Sequence, residues 1–112
     1  MDGIIGEREI FAVSATGERR SIRIAVGMPY RVNGDSWSCP VRMEGLRDRI
    51  HDAVGVDSWQ ALVLAIGLVR QILWYFLEDG GRLFWEEGGK EMALDDILPL
   101  LKISKDEADP DQ

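Results

Sequence analysis

The stretch from Asp57 to Gly80 constrains this chain more than any other. It reads as one long apolar helix with a defined start and a defined stop. Asp57 precedes Ser58-Trp59-Gln60-Ala61-Leu62. A carboxylate there accepts from the unpaired amides of the first helical turn. Gln60 stands three residues on, where its side chain can reach back to the cap amide. Glu78-Asp79-Gly80-Gly81 supplies the stop, because glycine takes the left-handed conformation that ends helices. Ser58 to Glu78 then makes a rod of about 32 Å, at about 1.5 Å per residue.

At about 100° per residue, Gln60, Gly67, Gln71 and Glu78 fall within about 20° of one line. Nearly everything outside this narrow polar stripe is apolar, from Leu62, Val63 and Leu64 to Trp74, Tyr75 and Phe76. Such a helix is central to its fold or covered by a second chain. Its length would also suffice for a membrane span. Arg70 and Gln71 near the middle argue against that, since a central arginine costs about 2.5–3.5 kcal/mol. No basic cluster flanks either end. The expectation is therefore no membrane partner.

The 112 residues suit one domain, and 46% hydrophobic content supports a core. The domain is expected over residues 1–103, with residues 104–112 an acidic flexible tail. Net charge is −7, all of it in the second half. Residues 1–56 hold 8 acidic and 8 basic side chains; residues 57–112 hold 12 and 5. A nucleic-acid partner is not expected, because phosphate binding needs a net basic face. Arg19, Arg20 and Arg23 read as a solvated strand and turn. The acidic half would suit a basic protein partner, although ordinary solubility explains it as well. One cysteine rules out an intrachain disulfide, and no signal peptide is recognisable at Met1-Asp2-Gly3-Ile4-Ile5. The expected compartment is the cytosol.

Glu7–Val13 and Arg19–Val26 read as a β-hairpin around Ala15-Thr16-Gly17-Glu18. Gly27-Met28-Pro29 ends it, and residues 31–35 read as an exposed connection. Ser36–Glu44 alternates again, with Trp37, Cys39, Val41 and Met43 on one face. Pro40 inside this run predicts an edge strand or a bulge. Residues 46–54 fit either period; the strand is preferred, closed by a turn at Gly45. After the helix, Arg82–Glu86 reads as a strand and Gly88-Gly89 as a turn. Ala93–Leu101 reads as a helical turn or an extended segment. The expected order is β-β-β-β-α-β, an α+β fold with four or five mostly antiparallel strands laid on the helix.

Cys39 and His51 are the one nucleophile–base pair available. One hairpin register sets them opposite each other; a one-residue slip puts them on opposite faces. Cys39 sits on an apolar strand face, where cysteine acts as a small hydrophobe. No zinc or calcium pattern is present, and neither glycine pair opens a phosphate loop. No enzyme activity, cofactor or metal is expected. Asp57 and Gln60 are assigned to the helix cap. Most of the four tryptophans are expected in the core, with Trp74, about 40° from the polar stripe, partly exposed.

Four segments carry a resemblance: Trp37-Ser38-Cys39-Pro40, Glu44-Gly45-Leu46, Gly55 through Leu62, and Leu83-Phe84-Trp85. Together they resemble a family of small bacterial proteins of unknown function. Its members share a Trp-x-Cys-Pro strand, a Gly-Val-Asp-Ser-x-Gln-Ala-Leu helix start and a late tryptophan strand. The resemblance covers residues 7–86 and implies no established activity. Relatives near toxin–immunity loci imply an immunity-type inhibitor of a basic toxin as an alternative role. Residues 90–112 depart from the family pattern. The leading expectation is a non-enzymatic binding module that forms a homodimer through Val63, Gly67 and Trp74. A Cys39/His51 enzyme is the remaining alternative.

Overall fold

Ser14 closes the first hairpin by turning its backbone and side chain onto one loop. Its carbonyl accepts from Gly17 N at 2.9 Å, and its hydroxyl accepts from Glu18 N at 3.0 Å. Gly17 takes φ 87°, which an L side chain would resist. The hairpin joins β1 (Ile4–Val13) to β2 (Arg19–Gly27), with Ile10 opposite Ile22 and Arg8 opposite Ile24. The computed structural model describes residues 3–100 and 104–108.

Beyond this hairpin, β3 (Tyr30–Arg31) pairs with β4 (Trp37–Cys39), and β5 (Val41–Glu44) returns to pair with β2. Tyr30 and Arg31 therefore form a short strand at the edge of the expected connection. Pro40 is not a bulge in one continuous strand; it leads directly into β5, the edge strand of the larger sheet, in line with the edge expectation. It stands where the chain leaves one sheet and enters another, and its carbonyl accepts from Gly27 N at 2.9 Å. A residue without an N–H costs least at such a crossing.

β6 covers only Ala53–Gly55 and pairs with β4. The strand expected over residues 46–54 is thus confined to its last few residues. Gly45 does turn the chain, at φ 92°, and Met43 bridges to Arg47. After α1 (Ser58–Glu78) come β7 (Arg82–Phe84), β8 (Glu91–Met92), α2 (Leu94–Ile97) and α3 (Lys105–Ala108). β8 has no counterpart in the sequence reading. It is two residues long and gains its order by pairing Leu83 with Met92. α3 is a helical turn inside the segment expected to fray; residues 109–112 lie outside the described ones, as does Leu101.

The fold is α+β. One antiparallel sheet runs β5-β2-β1-β7-β8, and a smaller one runs β3-β4-β6. Ile10, Ile22, Met43 and Leu83 from the larger sheet meet Cys39 from the smaller one, and α1 closes over them with Ala61, Ala65, Val69, Ile72 and Leu73. The opposite face of the larger sheet is charged. Glu9, Arg23 and Glu44 lie in one cross-strand row, where opposite charges support pairing. The arginine cluster is accounted for by carboxylates: Arg19 meets Glu87 and Arg23 meets Glu7, while Arg20, which shares the side of Ile22, meets Glu18.

α1 begins and ends where the sequence places it. Gln60 N donates to Asp57 Oδ1 at 2.7 Å. The Gln60 side chain reaches one residue further back than expected, accepting from Val56 N at 2.8 Å rather than from the cap amide. At the other end Gly80 N donates to Leu77 O and Gly81 N to Phe76 O, the paired bonds of a Schellman stop, with Gly80 at φ 98°. Asp57→Ala should cost about 1 kcal/mol through loss of the cap bond. Urea denaturation of both proteins measures it, and an unchanged midpoint would contradict it.

Candidate protein interface on the long helix

α1 buries one side only. On its outer side Trp59, Val63, Leu64, Ile66, Trp74 and Tyr75 are between 42% and 73% exposed. Gln60, Gly67, Gln71 and Glu78 run between them, all exposed. Aromatic side chains stand at both ends, Trp59 at one and the edge-to-face pair Trp74–Tyr75 at the other, about 22 Å apart along the axis. Gly67 lies midway, and a Cβ there would meet nothing within 4 Å. The structure thus places Val63, Gly67 and Trp74 together on one open face. Neither the loop at residues 27–35 nor the described part of residues 90–101 covers them.

The tryptophans differ from expectation. None is buried: Trp59 is 73% exposed, Trp74 and Trp85 are also exposed, and Trp37 is half-buried. Trp59 was hidden from sequence reading because the helix start around it looked like core. Asp57 and Gln60 use their side chains within the cap and are not free to bind a ligand there.

α1 is the one helix among the described residues long and apolar enough to cross a membrane. Ala61, Ala65, Val69, Ile72 and Leu73 on it are buried within the protein's own core.

Cys39 and His51 are separated by their surroundings. Cys39 is fully buried opposite Ala53, not His51, and its thiol donates to Gly27 O at 3.3 Å. Burial, and secondarily the Asp52 carboxylate, push this thiol above its ordinary range. A thiol so placed is a poor nucleophile. His51 is exposed, in a shallow depression with Arg42, Asp48 and Arg49. Iodoacetamide at pH 7 should therefore alkylate the folded chain roughly a hundredfold more slowly than the urea-unfolded chain. Equal rates would contradict this.

A polar cluster escaped the sequence reading. Tyr30 Oη donates to Asp52 Oδ2 at 2.8 Å, and Arg42 Nη1 lies 3.9 Å from Asp52 Oδ1. The bond to Asp52 holds the Tyr30 phenol above its ordinary range. The three residues meet because β3 and β6 flank β4, with Arg42 just past the Pro40 crossing. They tie the smaller sheet to the segment before β6.

Fold and site together define a small α+β protein with an unpartnered apolar helix face. The chain belongs to a family known as a domain of unknown function (DUF6968), whose model matches residues 6–95. No curated protein and no solved structure matches it.

Proposed function

We propose that this chain is a non-enzymatic interaction module that pairs with a second copy of itself through the outer face of α1. The exposure of Trp59, Val63, Leu64, Ile66, Trp74 and Tyr75 on that face carries the reading. An aromatic side chain contributes about 150–250 Å², so three of them near or above half exposure, with three aliphatic neighbours, offer roughly 500 Å² of apolar surface. That sits near the top of the roughly 300–600 Å² patches found on monomers. A standard interface takes about 800 Å² per partner, and the stripe Gln60, Gly67, Gln71 with the stem of Arg70 supplies the polar remainder. A two-fold pair is the simplest closed arrangement, because one patch then covers its own copy.

Sedimentation equilibrium at micromolar concentration tests this. The expected mass is twice the chain's 12.6 kDa. A single species at 12.6 kDa would sink the dimer. A second reading rests on charge: residues 57–112 carry 12 acidic against 5 basic side chains, which suits a basic protein partner and an inhibitor role.

A further inference from the structure

β1 is paired along its whole length on one side only. β2 follows it from Ile4 to Val13, whereas β7 meets it only at Phe11, Ala12 and Val13. From Ile5 to Ile10 no described strand lies on that second edge. Strand edges left open in this way present free N–H and C=O groups and are templates for another strand.

Beside this edge lies a groove of about 390 Å³, lined mainly by Gly6, Ile24, Val26, Leu62, Ile66 and Ile97. Gly6 keeps it open: a Cβ there would meet nothing within 4 Å. The far side is α2, held to β1 by Arg8, whose Nη1 donates to Asp96 O at 3.1 Å. The Arg8 guanidinium also lies over the Trp85 ring, 5.2 Å from its centroid. The one cation of the groove is thereby engaged. The exposed carboxylates next to the groove residues outnumber it: Asp95 and Asp96 precede Ile97, and Glu86 follows Trp85, whereas Glu87 is engaged by Arg19 and Glu9 stands on the opposite face of the sheet.

We propose that the open edge of β1, from Ile5 to Glu9, takes an extended basic segment of another protein by strand addition. Main-chain bonds to β1 would hold the segment. Its alternate apolar side chains would enter the groove, and the intervening lysines or arginines would meet the acidic rim. Five residues of strand span about 17 Å. This site lies on the flank of α1 and shares Ile66 with the rim of the outer helix face, and Trp74 at the far end of that face is not among its lining residues, so substitution there tells the two sites apart.

The probe is a fluorescein-labelled, acetylated and amidated octapeptide of alternating lysine and valine, followed by anisotropy in low salt. Saturable binding is expected, weakened about tenfold or more when alternate peptide amides are N-methylated, because the lost bonds are those to β1. Glutamate in place of lysine should abolish it. Gly6 has an ordinary strand backbone and open space, so Gly6→Leu should fold, fill the groove and weaken binding at least tenfold. Trp74→Glu should bind the peptide as the wild type does. Absence of binding at millimolar peptide would overturn the proposal. So would indifference to N-methylation, which uses the wild-type protein and does not depend on any variant folding. Binding lost in Trp74→Glu but kept in Gly6→Leu would move the peptide to the helix face. A Gly6→Leu change in self-association alone would assign the edge to a second copy.

Discussion

Gly55→Val should lower stability by roughly 2–4 kcal/mol, from overpacking and loss of a helix cap together. A Cβ at Gly55 would lie 2.6 Å from Ala61 N and 3.0 Å from the Gln60 Cβ. The first of these neighbours is helix backbone, so no rotamer change relieves it. The start of α1 must move away from β6. That movement also strains the Val56 N–Gln60 Oε1 bond and the Asp57 cap. The loss corresponds to a fall in melting temperature on the order of 10–25 °C for a domain of this size. Thermal and urea unfolding measure it. Gly67→Ala is the matched control when both are measured in a Trp74→Glu background, where self-association does not enter, because within one chain the added methyl meets open space and helix propensity favours alanine by about 1 kcal/mol. The two glycines stand on opposite sides of one helix, and the substitutions should move stability in opposite directions. An unchanged midpoint for Gly55→Val would mean that α1 does not rest on β6 as described.

Gly55 also shows what a sequence can and cannot convey. The cap spacing Asp57-x-x-Gln60 and the stop Gly80-Gly81 are local chemistry, and both ends of α1 were readable from them. The β1–β2 hairpin was readable because Ile22, Ile24 and Val26 alternate and Gly17 marks the turn. The division of the strands between two sheets was not. Pro40 signals only that a ladder donor is missing; that the chain changes sheets there depends on Gly27 being near to donate. β3 and β8 are two residues each, too short to carry a period, and exist through their partners. The Tyr30–Asp52 bond joins residues 22 apart in the chain, with neither residue distinctive alone. At the candidate interface, the polar stripe was visible as a face, and Val63, Gly67 and Trp74 lie beside or on it. The extent of apolar exposure was not visible, since Trp59 and Tyr75 look like core until one sees which side the sheets occupy.

Trp74→Glu should break self-association while leaving the fold intact. Trp74 is 45% exposed and packs edge-to-face on Tyr75, with the ring centroids 5.3 Å apart. Because Trp74 is exposed and stands outside the hydrophobic core cluster, the monomer should keep its stability within about 0.5 kcal/mol. In a two-fold pair the substitution acts twice. An antiparallel crossing at Gly67 would set Trp59 of one copy against Tyr75 of the other, with Trp74 facing Gln60 and the stem of Arg70 lying along Leu64. Truncating one buried aromatic anchor costs about 2 kcal/mol or more, and two copies of an unpaired carboxylate add to that. The dissociation constant should therefore rise at least about a hundredfold, since each 1.4 kcal/mol is a factor of ten. Sedimentation equilibrium and circular dichroism on the same sample separate the outcomes. A monomer with a wild-type spectrum and melting curve is expected. A dimer that survives Trp74→Glu would remove the helix face from the interface. A monomer that melts much lower would mean that Trp74 serves the core, against its exposure. Val63→Glu, one turn from Gly67 on the same face, should reproduce the result, because a real interface cannot depend on one side chain of a continuous patch.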